Sequence, residues 1–367
     1  MIPLLQEMML DFQQASLQTG VKRHIDIMHV TGKATVAIGV RRAGKSTLMH
    51  QIIANLLKSH VDIENVLYLN FFDDRLYEMQ HMGLDVIIEA YFMMFPHKKN
   101  SEKIYCFFDE IQIVPGWESF INRIMRTEQC EVYITGSSAN LLSKEIATQL
   151  RGRALAWEVF PFSFKEYLDF QQTPYEKILT SKSRLLIQKQ FSSYWICGGF
   201  PEVFDLPDSL RIKIHQSYFE TILFRDLIER HNITHPKALI DLAYWLIHRT
   251  GSLYSINKLT GYLKSLGHKV PKNVVSDFLK WFEDAYFFFT VNIYDASLAR
   301  VSANPKKIYS IDHAFVSSIA SGILLNQGHL LENLIFIALR RVYPLICYYK
   351  TTQGREVDFI VQNGQRQ

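Results

Sequence analysis

The chain has 367 residues, of which 48% are hydrophobic and 21% are charged, and its formal net charge is +4. This composition is typical of a globular protein and excludes an intrinsically disordered chain. The length exceeds what one hydrophobic core usually organises, which predicts two to three domains. A net charge of this size does not by itself indicate a nucleic-acid-binding protein.

The first residues, the cysteines and the histidines bear on targeting and on metal binding. No uncharged apolar run approaches the roughly 18 residues of a membrane-spanning helix, and the first residues, MIPLLQEMML, do not resemble a signal peptide. The four cysteines are far apart, and the thirteen histidines show no spacing such as HExxH. We therefore expect a cytoplasmic protein with reduced thiols, no membrane association and no structural metal.

The first predicted strand, residues 34–38, leads into a basic loop that contains two glycines. The loop sequence GVRRAGKS fits the phosphate-loop pattern GxxxxGK[ST], and the apolar residues after it recur at helical spacing. Backbone amides of such a loop and the start of the next helix attract phosphate oxygens. Lys45 is expected to reach the β- and γ-phosphates of ATP, and Ser46 to bind Mg²⁺. The predicted nucleotide-binding residues are Gly39, Arg41, Arg42, Ala43, Gly44, Lys45, Ser46 and Thr47.

Three more apolar runs, NVLYLNFF, KIYCFFDE and EVYITGSS, alternate with helical segments, which predicts a parallel sheet covered on both faces. Asp109 and Glu110 end the second of these runs, at the strand end where ligands bind in open α/β sheets. We predict that Asp109 holds Mg²⁺ and that Glu110 polarises the attacking water. Because a small-molecule kinase does not need such a glutamate, the pair favours ATP hydrolysis over phosphate transfer to a metabolite.

Hydroxyl and arginine side chains follow the next strand. Thr135, Ser137 and Ser138 stand at its tip, where a hydroxyl either orients the water or caps the following helix, and Ser137 is our catalytic candidate. Arg151 and Arg153 come before another apolar strand. Either one is an arginine finger for the γ-phosphate of its own or a neighbouring subunit, or it forms a surface ion pair.

The combination of these motifs resembles a family of largely uncharacterised prokaryotic AAA-type ATPases. The resemblance rests on GVRRAGKSTL, CFFDEIQ, ITGSSA, LRGRA…PFSFKEYL and GGFPEVF, and on the C-terminal GHLLENLIF…YYKTTQGREVDFIV. Family members join a P-loop core to a winged-helix segment and a domain similar to PD-(D/E)XK nucleases. The resemblance implies a core with an additional strand and a catalytic glutamate, in which Lys45, Ser46, Asp109 and Glu110 have the roles given above. It also supports a nucleotide-sensing arginine, for which Arg153 is favoured.

The resemblance implies a helical lid in residues 166–232, whereas the following helices suggest a DNA-binding segment. Residues 235–290 contain three predicted helices and then a strand pattern, typical of a helix-turn-helix followed by a β-wing. Residues 251–280 have five lysines and one aspartate, a net charge of +4. This basic face indicates DNA contact, mainly to phosphates because the window has no arginine. The alternatives are a solvated lysine face or a winged helix that docks on protein.

Acidic residues near the C-terminus carry the resemblance to nucleases. Glu332 lies on a predicted amphipathic helix and Asp358 on a predicted strand, with Glu356 as a further acid. The nuclease family uses such acids to hold a divalent metal and a lysine on a following strand to stabilise charge. The sequence QNGQRQ that follows has no acid and no lysine. We therefore expect an incomplete or degenerate segment in which nothing supplies the lysine.

The predicted fold class is α/β. An AAA-type parallel-sheet core is expected in residues 1–165, the helical lid in 166–232, a winged-helix domain in 233–300 and the nuclease-like segment in 301–367.

The predicted function is Mg²⁺-dependent hydrolysis of ATP that drives a conformational switch of the C-terminal module, on DNA or within a homo-oligomer. Two alternatives remain open. An ATP-regulated, metal-dependent nuclease is disfavoured by the absent lysine. An ATP-bound scaffold is disfavoured by the intact Lys45, Asp109 and Glu110.

Overall fold

The structure is a computed structural model that describes residues 1–136, 150, 152–175, 180–320, 325–351 and 353–361. The chain forms two compact units. The first comprises Met1–Gly39 and Gly44–Val159, and the second comprises Val40–Ala43 and Phe160–Gln367. The chain therefore leaves the first unit for four residues inside the glycine-rich loop and then returns to it.

A five-stranded parallel sheet forms the centre of the first unit, and its strand order is β2-β3-β4-β1-β5. The strands are β1 (Ala34–Ile38), β2 (Val66–Asn70), β3 (Ile104–Asp109), β4 (Cys130–Gly136) and β5 (Ala154–Glu158). All five residues of β1 are buried, as expected for a central strand that is covered on both faces. The predicted α/β fold with a parallel sheet is confirmed.

The helices of the first unit pack their apolar faces on this sheet. The described helices are α1 (Ile2–Gln14), α2 (Lys45–Lys58), α3 (Met79–Met82), α4 (Asp85–Met94) and α5 (Trp117–Thr127). In α2, Met49 and Ile53 are buried one turn apart and pack with Val66, Phe107 and Tyr133 of the sheet. The Phe107 and Tyr133 rings stack with their centroids 4.5 Å apart. This core fixes α2, and with it the loop that precedes the helix.

The second unit joins helices to a mixed sheet. Its described helices are α6 (Phe164–Phe170), α7 (Ser181–Cys197), α8 (Asp208–Thr221), a π-helix (Ile222–Glu229), α9 (Pro236–His248), α10 (Ile256–Ser265), α11 (Lys272–Asp284), α12 (Leu298–Ala303), α13 (His313–Ile319) and α14 (Gln327–Arg340). Its strands are β6 (Leu253–Tyr254), β7 (Phe288–Ile293), β8 (Lys306–Ser310), β9 (Ile346–Lys350) and β10 (Glu356–Val361), in the order β10-β9-β7-β8-β6. Strands β7 and β9 are parallel, and the other neighbouring pairs are antiparallel. In the part of the chain described, no helix is long and apolar enough to cross a membrane.

Helix α11 is amphipathic. Val275, Phe278, Leu279 and Phe282 are buried, and the opposite face, with Lys272, Asn273, Ser276 and Lys280, is exposed. From α9 to β8 the chain runs helix, short strand, two helices and two further strands, with α12 between the last two. The name winged helix for this segment, and the domain boundaries inside the second unit, stay predictions.

The glycines of the CGGFPEVF motif allow two close approaches inside the second unit. A Cβ at Gly198, where φ is +75°, would lie 2.3 Å from Oδ1 of Asp312, and one at Gly199 would lie 2.3 Å from the carbonyl oxygen of Phe162. The Gly199 amide donates to Asp312 Oδ2 at 2.7 Å. The two glycines of the motif thus stand at close contacts that only glycine fits.

Buried His215 is expected to make the folding stability of the second unit sensitive to acid. His215 is fully buried, with Nδ1 2.7 Å from the Ser318 hydroxyl, and burial lowers its pKa to about 4 although Asp312 opposes the shift. Between about pH 6.5 and pH 4 the unfolded chain binds a proton that folded His215 does not, so the free energy of unfolding falls by about 3 kcal/mol. We expect His215→Gln to lose less stability over this pH range. Urea unfolding at pH 7 and pH 4 measures the difference, and equal losses in both proteins would contradict the prediction.

Candidate active site

The glycine-rich loop between β1 and α2 has the backbone geometry of its motif. At Gly39, where φ is +151°, a Cβ would lie 2.1 Å from the Val159 carbonyl oxygen, so only glycine fits. Gly44 is left-handed, with φ of +89°, and caps the start of α2. Arg42 also has positive φ, at +64°. The chain thus curls tightly and places Lys45 in the first turn of the helix, where amides point out of the helix end.

Lys45 points back across this loop. Its side chain is only 5% exposed, and its Nζ donates to the Gly39 carbonyl oxygen at 3.2 Å. The same Nζ lies 3.9 Å from Oε1 of Glu110. The structure therefore brings together two of the predicted catalytic residues, one from the start of α2 and one that follows β3.

Asp109 ends β3 as a buried carboxylate that accepts hydrogen bonds on both oxygens. The Tyr68 hydroxyl donates to Oδ2 at 3.0 Å, and the Thr135 hydroxyl donates to Oδ1. Burial, together with the charge of Asp109, raises the pKa of Tyr68, which keeps this hydroxyl a donor. These two bonds hold the carboxylate at the carboxyl edge of the sheet.

Glu110 is held in an uncommon conformation immediately after the strand. Its backbone is left-handed, with φ of +56°, and its amide donates to the Thr135 hydroxyl oxygen at 3.0 Å. The Gln112 side chain donates to Oε2 of Glu110 at 2.5 Å. A left-handed non-glycine residue at a strand end is typical of functional sites, because surrounding contacts must maintain it.

Thr135 is the polar residue at the tip of β4 that contacts both acids. The candidate Ser137 lies outside the described residues, as do Ser138 and Arg151. The contact between Thr135 and the acids follows from the strand register, because β3 and β4 are parallel and pair Phe108 with Ile134. The next residues of the two strands, Asp109 and Thr135, are therefore neighbours on the same edge of the sheet.

The oxygen donors of this site suit Mg²⁺. Ser46, exposed in the first turn of α2, offers a hydroxyl, and Asp109 offers a carboxylate. Among the described residues no group of three or more histidine, cysteine, aspartate and glutamate side chains is arranged to hold a metal by itself. Mg²⁺ is commonly held by one or two side chains, waters and nucleotide phosphates, so this sparse donor set fits it.

Arg153 lies at the amino edge of the parallel sheet, opposite to the carboxyl edge that carries the phosphate loop. It comes immediately before β5, with an exposed side chain, and its carbonyl oxygen accepts from the Ala34 amide at 2.8 Å. The parallel strands β1 and β5 then run for five residues each, about 16 Å, before the phosphate loop begins. Arg153 therefore lies far along the sheet from its own phosphate loop, and its role, as a finger toward a neighbouring chain or in a surface ion pair, stays a prediction.

The two loop arginines have carboxylate partners inside the second unit. Arg41 donates from Nε to both oxygens of Asp226, at 2.9 and 2.8 Å, and its Nη2 lies 2.7 Å from Oδ1. Arg42 donates from Nη1 to Oε2 of Glu202 at 3.3 Å. The sequence pattern indicated both arginines as nucleotide-binding but gave no sign of these partners, because both lie more than 150 residues away.

The five lysines of residues 251–280 are all exposed, and the basic face that they would form stays a prediction. They are Lys258, Lys264, Lys269, Lys272 and Lys280. Lys258 Nζ also lies 5.8 Å from the ring centre of Trp245, on α9. An aromatic side chain thus lies next to one of these five lysines.

The acids near the C-terminus meet a lysine that the sequence pattern missed. Lys307 on β8 is buried, and its Nζ donates to Glu332 at 2.7 Å and to Asp358 at 2.8 Å, and lies 2.5 Å from Glu356. The expectation that nothing supplies a lysine is wrong. A lysine does contact these acids, but it lies on β8, which precedes them in the chain, and not on a following strand. Burial alone would lower the pKa of Lys307, but hydrogen bonds to the three carboxylates raise it. A divalent ion would have to compete with this ammonium group for the same oxygens.

Two family models match the chain. One describes an AAA domain and matches residues 31–168, and the other describes a domain of unknown function (DUF8612) and matches residues 188–324. The first match contains the phosphate loop, both acids and Thr135. The second covers the segment from α7 to the end of α13.

Among curated proteins, the chain is similar to two uncharacterized relatives. Protein MJ1544 of Methanocaldococcus jannaschii is 33% identical over 363 residues, which is 98% of this chain and 79% of the relative. A protein of Haemophilus influenzae is 31% identical over 330 residues, which is 90% of this chain and 79% of the relative.

Similarity to solved structures is weaker. The Aeropyrum pernix ORC1 protein in complex with DNA has a TM-score of 0.34 and 14% identity, with coverage of 84% of this chain and 88% of that chain. AMPPCP-bound DnaA from Aquifex aeolicus has a TM-score of 0.29 and 10% identity, with coverage of 76% and 86%.

Identity of about one third along nearly the whole chain, together with the AAA-domain match, is sufficient to assign the family. The chain belongs to the protein family that includes MJ1544, and residues 31–168 match a family model of an AAA domain.

Proposed function

We propose that the protein binds ATP with Mg²⁺ and hydrolyses it at the carboxyl edge of the parallel sheet. The observation that carries this proposal is the convergence of Lys45, Asp109, Glu110 and Thr135, with Lys45 Nζ 3.9 Å from Glu110 Oε1. A lysine for phosphate, a carboxylate for metal and a second carboxylate for water are the groups that hydrolysis of a nucleoside triphosphate needs. A scaffold that only binds ATP would not need Glu110.

Each residue has a separate part in this reaction. Lys45 would turn from Glu110 and the Gly39 carbonyl toward the β- and γ-phosphates, and Glu110 would accept a proton from the attacking water. Gln112 holds the Glu110 carboxylate, and Thr135 ties the Glu110 backbone to Asp109. Ser46 and Asp109 would hold Mg²⁺, which neutralises charge on the phosphates when it is bound.

A direct test measures ATP binding and ATP turnover of the full chain with Mg²⁺. We expect wild type to bind and hydrolyse ATP, and Lys45→Ala to bind it much more weakly, because the substitution removes the phosphate-facing ammonium group. A Lys58→Ala variant is the matched control, because Lys58 ends the same helix and faces solvent. Equal ATP binding by wild type and Lys45→Ala would exclude the phosphate loop as the nucleotide site.

A conformational switch of the second unit is the second part of the proposal. It is supported by the four residues Val40–Ala43 of the phosphate loop, which belong to that unit. A change in loop conformation on ATP binding or hydrolysis therefore acts directly on groups of the second unit.

DNA is the partner that the exposed lysines favour. If about four lysines of residues 251–280 each neutralise a phosphate, the slope of log K against log salt concentration is about −3.6, using about −0.9 per phosphate. Lys272→Ala combined with Lys280→Ala should flatten the slope by about two and leave basal ATP turnover unchanged, since both lie outside the phosphate loop. Fluorescence anisotropy of a labelled duplex over a salt series measures the slope. An identical slope in both proteins, or no binding at low salt, would remove DNA from the proposal.

A further inference from the structure

We propose that Asp226 is a positioning residue for ATP binding, because it holds Arg41 and thereby fixes the tip of the phosphate loop. The inference rests on the proposed function, since it concerns how the loop is shaped for a triphosphate. In this view Arg41 is a structural anchor of the loop, and its side chain is not a phosphate ligand.

The geometry of the pair is the first reason. Three contacts of 2.7 to 2.9 Å join the guanidinium group of Arg41 to both carboxylate oxygens of Asp226. Such a fork-to-fork arrangement fixes orientation as well as distance, because both groups are planar. An anchor at Arg41 constrains the backbone between the two glycines whose amides face the phosphates.

The surroundings of Asp226 are the second reason. Its side chain is only 3% exposed, and it lies among the buried residues Ile222, Leu223 and Leu227 of the π-helix. A buried carboxylate is strongly unfavourable without a cation, so breaking the ion pair costs much free energy. Arg41 is therefore held by Asp226 more firmly than a solvent-exposed pair would hold it.

The local backbone is the third reason. The π-helix Ile222–Glu229 continues α8 with a wider turn, and π-helical turns are rare and occur frequently at functional sites. This π-helix carries Asp226, whose carboxylate accepts the hydrogen bonds of Arg41.

Arg42 has a weaker version of the same arrangement. Its partner Glu202 comes from the GGFPEVF motif and also accepts a hydrogen bond from the Tyr218 hydroxyl. The side chains of Arg42 and Glu202 are 63% and 46% exposed, and ion pairs so exposed contribute little to stability. The proposal therefore rests on Asp226 and not on Glu202.

The possible roles of Asp226 predict different changes in the Kd for ATP when Asp226 is replaced by asparagine. If Arg41 were a phosphate ligand, Asp226 would compete with ATP for it, and Asp226→Asn would tighten ATP binding. If Asp226 positions the loop, the same substitution weakens binding. If the pair only stabilises the fold, the thermal unfolding midpoint falls while the Kd for ATP stays constant.

The experiment measures the Kd of a fluorescent ATP analogue with Mg²⁺ for the full chain, together with the thermal unfolding midpoint of each variant. We expect Asp226→Asn to raise the Kd about tenfold, in the usual range for coupled residues. Arg41→Met combined with Asp226→Asn should have the Kd of either single variant, because the two residues act as one unit. Glu229→Gln is the matched control, since Glu229 lies on the same π-helix in an exposed pair with Arg225, and its Kd should equal that of wild type.

Arg41→Lys keeps the positive charge opposite Asp226 and covers the case in which Asp226→Asn does not fold. A lysine cannot form the forked contact, so we expect its Kd to rise as well. A wild-type Kd in Arg41→Lys, or an unchanged or lower Kd in folded Asp226→Asn, would overturn the inference. Failure of wild type itself to bind, or equal binding by Lys45→Ala, would instead overturn the proposed function.

Discussion

Glu110→Gln is expected to lower ATP turnover by at least about 100-fold, the usual scale for a positioned general base. Glutamine has the shape of glutamate and can still contact Gln112, but it cannot accept a proton from water at neutral pH. ATP binding should be retained, because Lys45 and Ser46 are untouched. Removing the negative charge 3.9 Å from Lys45 also leaves that lysine freer to contact phosphate, so binding should not weaken. Steady-state phosphate release and equilibrium binding measure the two effects separately.

A matched substitution separates charge from chemistry at this site. Glu118→Gln removes a carboxylate from the first turn of α5, in the same unit, and should leave turnover unchanged. If Glu110→Gln hydrolyses ATP at the wild-type rate, Glu110 has no part in the mechanism and the alternative of an ATP-bound scaffold is favoured.

Arg153→Ala is expected to lower turnover by about 10³-fold if Arg153 is an arginine finger for a neighbouring chain. The position of Arg153 at the amino edge of the sheet, five strand residues before the phosphate loop, favours a neighbouring chain over its own site. Turnover per chain should then rise with protein concentration, because a complete site needs two chains. Arg126→Ala is a useful control, since Arg126 lines the same surface recess as Arg153.

Mixing two inactive variants tests the same role without relying on one rate. Arg153→Ala keeps an intact phosphate loop, and Lys45→Ala keeps an intact Arg153, so a mixture should recover part of the activity. No recovery, combined with turnover that is independent of concentration, would exclude a finger role for Arg153.

Local patterns were sufficient to predict the core of the first unit. Strand β1, the glycines of the loop and the acids after β3 follow one another closely, and the physical requirement for each is local: burial, positive φ and a strand end. The phosphate-loop backbone and the position of Asp109 could therefore be predicted from a few residues.

The contacts that the sequence did not reveal join distant segments. The contacts of Thr135 depend on the register of β3 against β4. Those of Lys307 depend on a fold that brings β8 within reach of Glu332 on α14 and of the acids on β10. Asp226 is 185 positions from Arg41 and lies in a π-helix, which no helical periodicity of 3.6 residues indicates. Arg153 could be placed at the amino edge only when the pairing of β1 with β5 was known.

The path of the chain through the phosphate loop limits how this protein can be divided or recombined. Because Val40–Ala43 belongs to the second unit, the polypeptide passes between the units at the loop and again after Val159. A fragment that ends at Val159 would keep the phosphate-loop sequence but lose Asp226 and Glu202, the partners of its two arginines. The AAA domain is therefore a poor candidate for excision or for grafting onto another C-terminal module. Exchange of either unit between relatives should succeed only when the loop tip is exchanged together with its acidic partners.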